Sequence, residues 1–333
     1  MSQLKGKKIL ITGGSGFIAS HLTRRLVSLG ADVTITTRYN SIIDNVRVVD
    51  LWDKINVIEA DLRNLDSLAQ IKDLKPDIVY HFAAYNHVGD SFIHVNEVMD
   101  SNNKGTANLM ETYTDYERFI YISTSEVYGY QESVPFTETM NPLPISPYSI
   151  GKYGGELYAR MHMEQLKRPI VVLRPFNAFG PYQSPRAVIS EMIETCIRGL
   201  PVRSTEGKQT RDFNFVANLV DGFILAAEKD EAIGHVINVG SGEEISIRDL
   251  ITAIHEMTES TSELQLGVLP NRPTEIWRMF ADNDRASQLL GWSPKLTFRE
   301  GISQTIAWYR DFRGEFLQSG SKLWSLGENA LSD

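Results

Sequence analysis

The chain has 333 residues, 42% of them hydrophobic, which is enough for a sizeable core and too long for one minimal domain; one large or two closely joined domains are expected. A net charge of −9, with no basic run beyond Lys5 to Lys8, argues against nucleic acid as a partner, and no apolar run nears the roughly 20 residues that cross a bilayer. The one cysteine, Cys196, excludes an internal disulfide and, with no signal peptide in view, points to a reducing, cytoplasmic setting; it falls in a helical pattern and is expected to pack.

Residues 7–12 read as a buried parallel strand, the glycine turn Thr12-Gly13-Gly14-Ser15-Gly16 follows, and 17–29 is an apolar-periodic helix closed by Gly30. Short apolar runs at 33–37, 57–59, 77–81 and 118–123 alternate with helical patterns at 65–74 and 95–113. This alternation predicts an α/β fold with a Rossmann-type doubly wound parallel sheet. Pro142, Pro144 and Pro147 punctuate a loop before a helix over 147–166, and 169–173 supplies a further strand. Residues 1–176 are therefore expected to form an NAD(P)-binding domain. Helical patterns at 187–198, 216–228, 247–258 and 285–290, with short strands near 211–215 and 236–239, predict a smaller mixed α/β substrate lobe over 177–314, in which the chain is free to cross back to the first domain. A helix over 298–312 closes it, and 315–333 reads as a loosely held tail.

The glycine turn lies directly between a strand and a helix, where backbone amides at a positive helix end meet a pyrophosphate. Gly13, Ser15, Gly16, Phe17 and Ile18 are its candidate contacts. At the end of the second strand an acid would bind the ribose diol of NAD, but Thr37 stands there, followed by Arg38. A cation without the acid favours the 2′-phosphate of NADP, with NAD as the alternative and a stacked or solvent-facing Arg38 as the plain reading. Asp61 and Leu62 are placed to meet the adenine edge, and Ala83 and Ala84 keep the next crossing small; both pairs also have ordinary packing explanations.

Ser123-Thr124-Ser125-Glu126 and, further on, Tyr148 and Lys152 bring hydroxyls, a carboxylate, a phenol and an ammonium to one sheet edge. A phenol with an ordinary pKa of about 10 needs a neighbouring cation to act as a base. Lys152, one helical turn on, can supply it. Simple alcohol oxidation has no need of Glu126. Histidines are scattered without paired ligand spacing, so no metal is expected.

In order along the chain, the 12–19 turn, Asp61-Leu62, His81-Phe-Ala-Ala84, Asn102-Asn-Lys-Gly-Thr106, 123–129, Tyr148 to Lys152, Arg174-Pro-Phe-Asn-Ala-Phe-Gly-Pro181 and Gln209-Thr-Arg-Asp-Phe213 resemble the extended short-chain dehydrogenases/reductases of the sugar-nucleotide epimerase and dehydratase class. The resemblance implies that Tyr148 is the base toward a sugar C4 hydroxyl, that Lys152 lowers its pKa and holds the nicotinamide ribose, and that Thr124 bonds the reacting oxygen. It also implies that Asn102, Ser123 and Pro175 line the cofactor, that Asn177, Arg211 and either Arg272 or Arg278 meet the diphosphate, and that Arg186 is a weaker substrate candidate. His87 either faces the sugar or begins a helix. Thr124-Ser125-Glu126 is similar to mannose-type 4,6-dehydratases and to UDP-glucuronate decarboxylases, and the context of Arg278 is closer to a dehydratase. The match around 174–186 and 211–215 most resembles UDP-N-acetylglucosamine 4,6-dehydratases of the legionaminic acid type. A 4,6-dehydratase with Ser125 and Glu126 in its elimination step is therefore expected, with a 4-epimerase, a decarboxylase and an idle NADP-sensing protein as the alternatives. The helices predicted at 95–113 and 147–166 resemble those of a four-helix homodimer interface.

Overall fold

The protein, seen in a computed structural model, is described for residues 2–38, 46–271 and 275–311. Its centre is a seven-stranded sheet built from β1 (Lys8–Thr12), β2 (Asp32–Thr37), β3 (Asn56–Glu59), β4 (Ile78–His81), β5 (Arg118–Ile122), β6 (Ile170–Pro175) and the strand Val236–Val239. From one edge the order is Val236–Val239, β6, β5, β4, β1, β2, β3, and the paired strands run parallel. The order reverses between β1 and β4, and in such sheets the crevice beyond the carboxyl ends at the reversal is where ligands bind.

Because strand side chains alternate, each strand feeds both faces. Val79, Phe119, Tyr121 and Val172 pack with Leu109, Met110, Ala159 and Met163 from the segments that lead to and follow the site. On the other face the Tyr80 hydroxyl donates to the Phe223 carbonyl in the helix Val216–Glu228, which also meets α1 (Phe17–Ser28). Each large apolar side chain so buried contributes about 1.5–3 kcal/mol. Among the described residues no helix is long and apolar enough to cross a membrane.

Two features depart from the sequence expectation. The strand Val236–Val239, assigned to the substrate lobe, extends the main sheet: it pairs with β6 from Val236↔Val172 to Val239↔Pro175, and every one of its residues is buried. The compact units are discontinuous in sequence. Among the described residues, one consists of those within 1–178, 211–244 and 276–295; the other consists of those within 179–210, 245–275 and 296–311. Within the second, helices Val188–Ile197 and Ile247–Met257 pack together and Val202–Ser204 pairs in parallel with Leu264–Leu266. The helix expected over 95–113 is interrupted: Val95–Met99 and Gly105–Thr112 are α-helical, and Asp100–Lys104 between them is a π-helical turn. That widened turn carries Asn102 inward, where its amide accepts from Tyr85 N (2.6 Å) and donates to Tyr85 O (3.0 Å). The predicted tail at 315–333 lies outside the described residues.

The helix Pro147–Glu164 starts on a capping box, with Ser146 accepting from Ser149 N and Pro147 in the first turn. It runs close against the π-turn because Gly155 has no side chain: a Cβ there would lie 2.5 Å from both Asn102 O and the Tyr121 hydroxyl. Gly155→Ala should lower stability by about 1–3 kcal/mol, measured as the midpoint of urea unfolding, because neither neighbour can withdraw without breaking its own hydrogen bonds.

Candidate active site

At the end of β1, Gly13 has φ +66°, and a Cβ there would sit 2.9 Å from Ala83 Cα, so the crossing of the first and fourth strand ends requires glycine. The two ends are stapled. Thr12 Oγ1 accepts from Ala83 N (3.2 Å) and bonds His81 Nδ1 (2.7 Å), while His81 Nε2 bonds Thr106 Oγ1 (2.9 Å), which donates to Asn102 O (2.7 Å). With its hydrogen spent on Asn102, Thr106 accepts from His81, which places the imidazole proton on Nε2. Burial, and then the charge of Lys152, hold His81 neutral by pulling its pKa well below the usual value. Gly16 caps α1 with no side-chain bond, and the first turn of that helix contains no acid. Ser15 is buried beneath the turn, and Phe17 and Ile18 are partly exposed at its rim. Amides and a positive helix end uncompensated by any side chain fit the pyrophosphate of a nicotinamide dinucleotide.

Beyond β2 and β3 lies a pocket of about 360 Å³ lined by Arg38, Glu59, Ala60, Asp61, Arg63 and Ser67. Arg38 Nη1 is 3.3 Å from Glu97 Oε1, and Arg63, 3.7 Å from the same oxygen, also forks onto Asp61 (2.9 and 2.6 Å). The Arg63 hydrogen bonds hold the Asp61 carboxyl below the usual carboxylate range. Arg38 is thus committed to Glu97 in a site that also holds the carboxylates of Glu59 and Asp61. This is poor ground for a 2′-phosphate, and the NADP preference expected from Arg38 finds no support. Leu62 is buried, and Ala83 and Ala84 line the strand crossing. Asn102, expected beside the cofactor, directs its amide to the Tyr85 backbone instead.

The candidate reacting groups come from two elements. Thr124 caps the short 3-10 turn Ser125–Tyr128, its Oγ1 accepting from Glu126 N (3.2 Å); Ser125 is buried and Glu126 partly exposed. Tyr148 and Lys152 share one face of the helix Pro147–Glu164, and Thr124 hydrogen-bonds the Tyr148 phenol. Lys152 Nζ sits 4.6 Å from the centre of the Tyr121 ring, with the residue only 3% exposed. Desolvation sets both acidities. Burial raises the phenol to about 12, opposed by the Thr124 hydrogen bond and reinforced by the Glu126 carboxylate. Burial also lowers the Lys152 ammonium to about 7, against the pull of Glu156. Burial, the largest influence on the Tyr148 phenol, acts against the lowering that the resemblance implies for Lys152. Pro175 closes β6 above this set.

The sequence reading missed a buried group behind these residues. Glu156 accepts from Ser123 Oγ (2.6 Å) and from Arg174 Nε (3.1 Å) and Nη2 (2.5 Å), and the Arg174 guanidinium lies 4.7 Å from the centre of the Tyr128 ring. Glu156 stands four residues beyond Lys152, a spacing that marked it for the same helix face.

Substrate candidates are placed unevenly. Asn177 presents a buried side-chain oxygen with no hydrogen-bond partner, the kind of group that awaits a donor. Arg211 Nη1 donates to Ile276 O (2.7 Å), whereas Arg278 is paired through both arms with Glu244 (2.6 Å each) on the surface. His87 caps the helix Val88–Ser91, its Nδ1 accepting from Asp90 N (2.9 Å), which is the structural reading of that residue. Arg186 is exposed in the second unit, and Arg272 lies outside the described residues.

A dinucleotide turn at the sheet's reversal, with a Thr, Tyr and Lys set one strand away, defines a nucleotide-sugar dehydratase or epimerase of the extended short-chain dehydrogenase/reductase class. Residues 10–305 match the family model described as GDP-mannose 4,6 dehydratase, and the chain belongs to that family. The human dTDP-D-glucose 4,6-dehydratase is 33% identical over 325 residues, covering 92% of this chain and 90% of the relative. UDP-glucuronic acid 4-epimerase from Bacillus cereus, solved with UDP-glucuronic acid and NAD, matches with a TM-score of 0.84 at 30% identity, over 92% of this chain and 99% of that one. The dTDP-glucose 4,6-dehydratase of Streptomyces venezuelae, solved with NAD bound, also reaches a TM-score of 0.84, at 27% identity over 92% of this chain and 98% of that one.

A buried lysine held at about 7 instead of 10.5 costs stability. The folded state gives up its proton before the unfolded state does, so the cost is full below about pH 7 and fades as pH rises toward 10.5. Lys152→Met should therefore stabilise the protein, on the order of a few kcal/mol in slightly acidic buffer. The gain, followed as the urea midpoint, should shrink steadily on the alkaline side.

Proposed function

We propose that this protein is a nucleotide-sugar 4,6-dehydratase that converts a UDP-sugar to its 4-keto-6-deoxy form with a bound, recycled NAD. The observation that carries the reading is Glu126: a carboxylate one short turn from Thr124 and close enough to act on the Tyr148 phenol. NAD, which the solved relatives hold, would be cradled by the 13–18 turn and the Arg38 to Ser67 pocket, and it supplies a hydride acceptor that becomes the donor in the closing half of the cycle. Tyr148 takes the C4 hydroxyl proton while Thr124 holds that oxygen. With C4 a ketone, the C5 hydrogen is acidic, and Glu126 removes it as water leaves C6. Ser125 is a weak acid, so Glu126 also returns a proton to the departing hydroxyl. Arg211, a planar cation suited to phosphate, and Asn177, through its amide N–H, are the proposed partners of the diphosphate, and the open Asn177 oxygen is left to accept from a substrate hydroxyl.

The test substrate is UDP-N-acetylglucosamine, the sugar suggested by the sequence around 174–186. Mass spectrometry of the product should show loss of one water; an unchanged mass would mean epimerisation, and loss of carbon dioxide from a uronate would mean decarboxylation. Glu126→Gln should lower the dehydration rate by about 10²–10⁴ fold while leaving NAD binding as it was. A full dehydration rate in that variant would remove the carboxylate from the mechanism.

A second copy of the chain is the proposed partner. Ile150, Leu157 and Met161 are 46%, 48% and 38% exposed at helical spacing on Pro147–Glu164, and Phe92, Ile93 and Val95 add further exposed apolar surface. Sedimentation should give a dimer for the native chain and a monomer for Leu157→Glu/Met161→Glu.

A further inference from the structure

We propose that Glu156 is a positioning residue of the active site, the counter-charge that keeps the buried Lys152 ammonium in place beside Tyr148. The proposal rests on the reading of Tyr148 and Lys152 as partners in alcohol oxidation, and no role in that chemistry has so far been given to Glu156. Tyr148, Lys152 and Glu156 follow at four-residue intervals, so they line one face of the helix Pro147–Glu164. Glu156 is 0% exposed and Arg174 1%. A carboxylate so far from water persists only with partners of this kind, here the Arg174 fork and the Ser123 hydroxyl.

Were Glu156 only a staple between the helix and β6, Arg174 would suffice to explain it. Two placements argue for more. Ser123, which donates to it, directly precedes Thr124, and Lys152 stands one turn before it on the same face. Three buried charges therefore alternate in sign: Lys152, Glu156, Arg174. Around Lys152 are His81 from β4, held neutral; Tyr121 from β5, through its ring; and Tyr148 and Glu156 on the same face of its own helix, with Arg174 from β6 bound to Glu156. Apart from the Tyr121 ring face, Glu156 is the member of this set that favours the ammonium. Remove it and Lys152 keeps its burial with no carboxylate to favour the charge. Burial then acts unopposed, and the lysine gives up its proton more readily.

The experiment is a pH titration of Lys152 in the full chain, isotopically labelled at lysine Cε, with its resonance assigned by its loss in Lys152→Met. The native midpoint is expected near 7. In Glu156→Gln it should fall by about one pH unit or more, a tenfold loss of proton affinity. Should the unpaired Arg174 prevent folding, Glu156→Met/Arg174→Met removes both charges with little cost in such pairs, and it should show a smaller fall in the same direction. An unchanged Lys152 midpoint in either folded variant would overturn the proposal, whatever happened to stability. Because the titration needs no substrate, it is independent of the dehydratase reading, which fails separately if the native chain with an unperturbed titration yields no dehydrated product.

Discussion

The close approach of the helix Pro147–Glu164 to the sheet is the constraint on which the site depends. Gly155 allows it, since the space for a Cβ is already taken by Asn102 O and the Tyr121 hydroxyl. Once the helix is that close, Lys152 and Glu156 have no route to water and must find partners inside: the Tyr121 ring for one, Arg174 and Ser123 for the other. The acidities follow from the packing. Desolvation pushes the phenol of Tyr148 up and the ammonium of Lys152 down, so the two groups approach chemistry from the protonation states least costly to bury. The stability given up to hold a lysine in such a place is the common cost of a prepared site.

Within that frame the machinery divides into a shared part and a deciding part. Thr124, Tyr148 and Lys152 are the set we propose for oxidising a sugar hydroxyl and later reversing the step, and relatives of this chain include both 4-epimerases and 4,6-dehydratases. Glu126 is different in kind. It sits on a separate 3-10 turn, fixed by the Thr124 cap and not by the helix, and its charge reaches the Tyr148 phenol; the C5 proton is the one we propose it removes. The His81 bridge from Thr12 to Thr106 ties the nucleotide turn to the same scaffold and keeps the cofactor end and the reacting end in register.

Much of this was legible because local rules and global packing agree. The 12–16 glycines, the Ser146 cap and the helix Val216–Glu228 all carry short-range signals that the tertiary structure leaves intact. Where the reading failed, long-range interactions decide. Whether Val236–Val239 belongs to the lobe or to the main sheet depends on the free edge of β6, which no local pattern encodes. The π-turn at Asp100–Lys104 turns on a single side chain finding the Tyr85 backbone. Arg38 looked like a phosphate ligand because Glu97, its partner, is 59 residues away in sequence. Glu156 went unread although its spacing from Lys152 was in plain view, since a glutamate on a helix is ordinarily solvated and its burial appears only with Arg174 in place.

The central claim is that Glu126 handles the proton on C5, and turnover in deuterium oxide tests it most directly. The account predicts that the product of UDP-N-acetylglucosamine carries solvent deuterium at C5, because Glu126 gives the C5 proton to the departing hydroxyl and C5 takes a new one from solvent when hydride returns to C6. A product formed at full rate with only protium at C5 would contradict it.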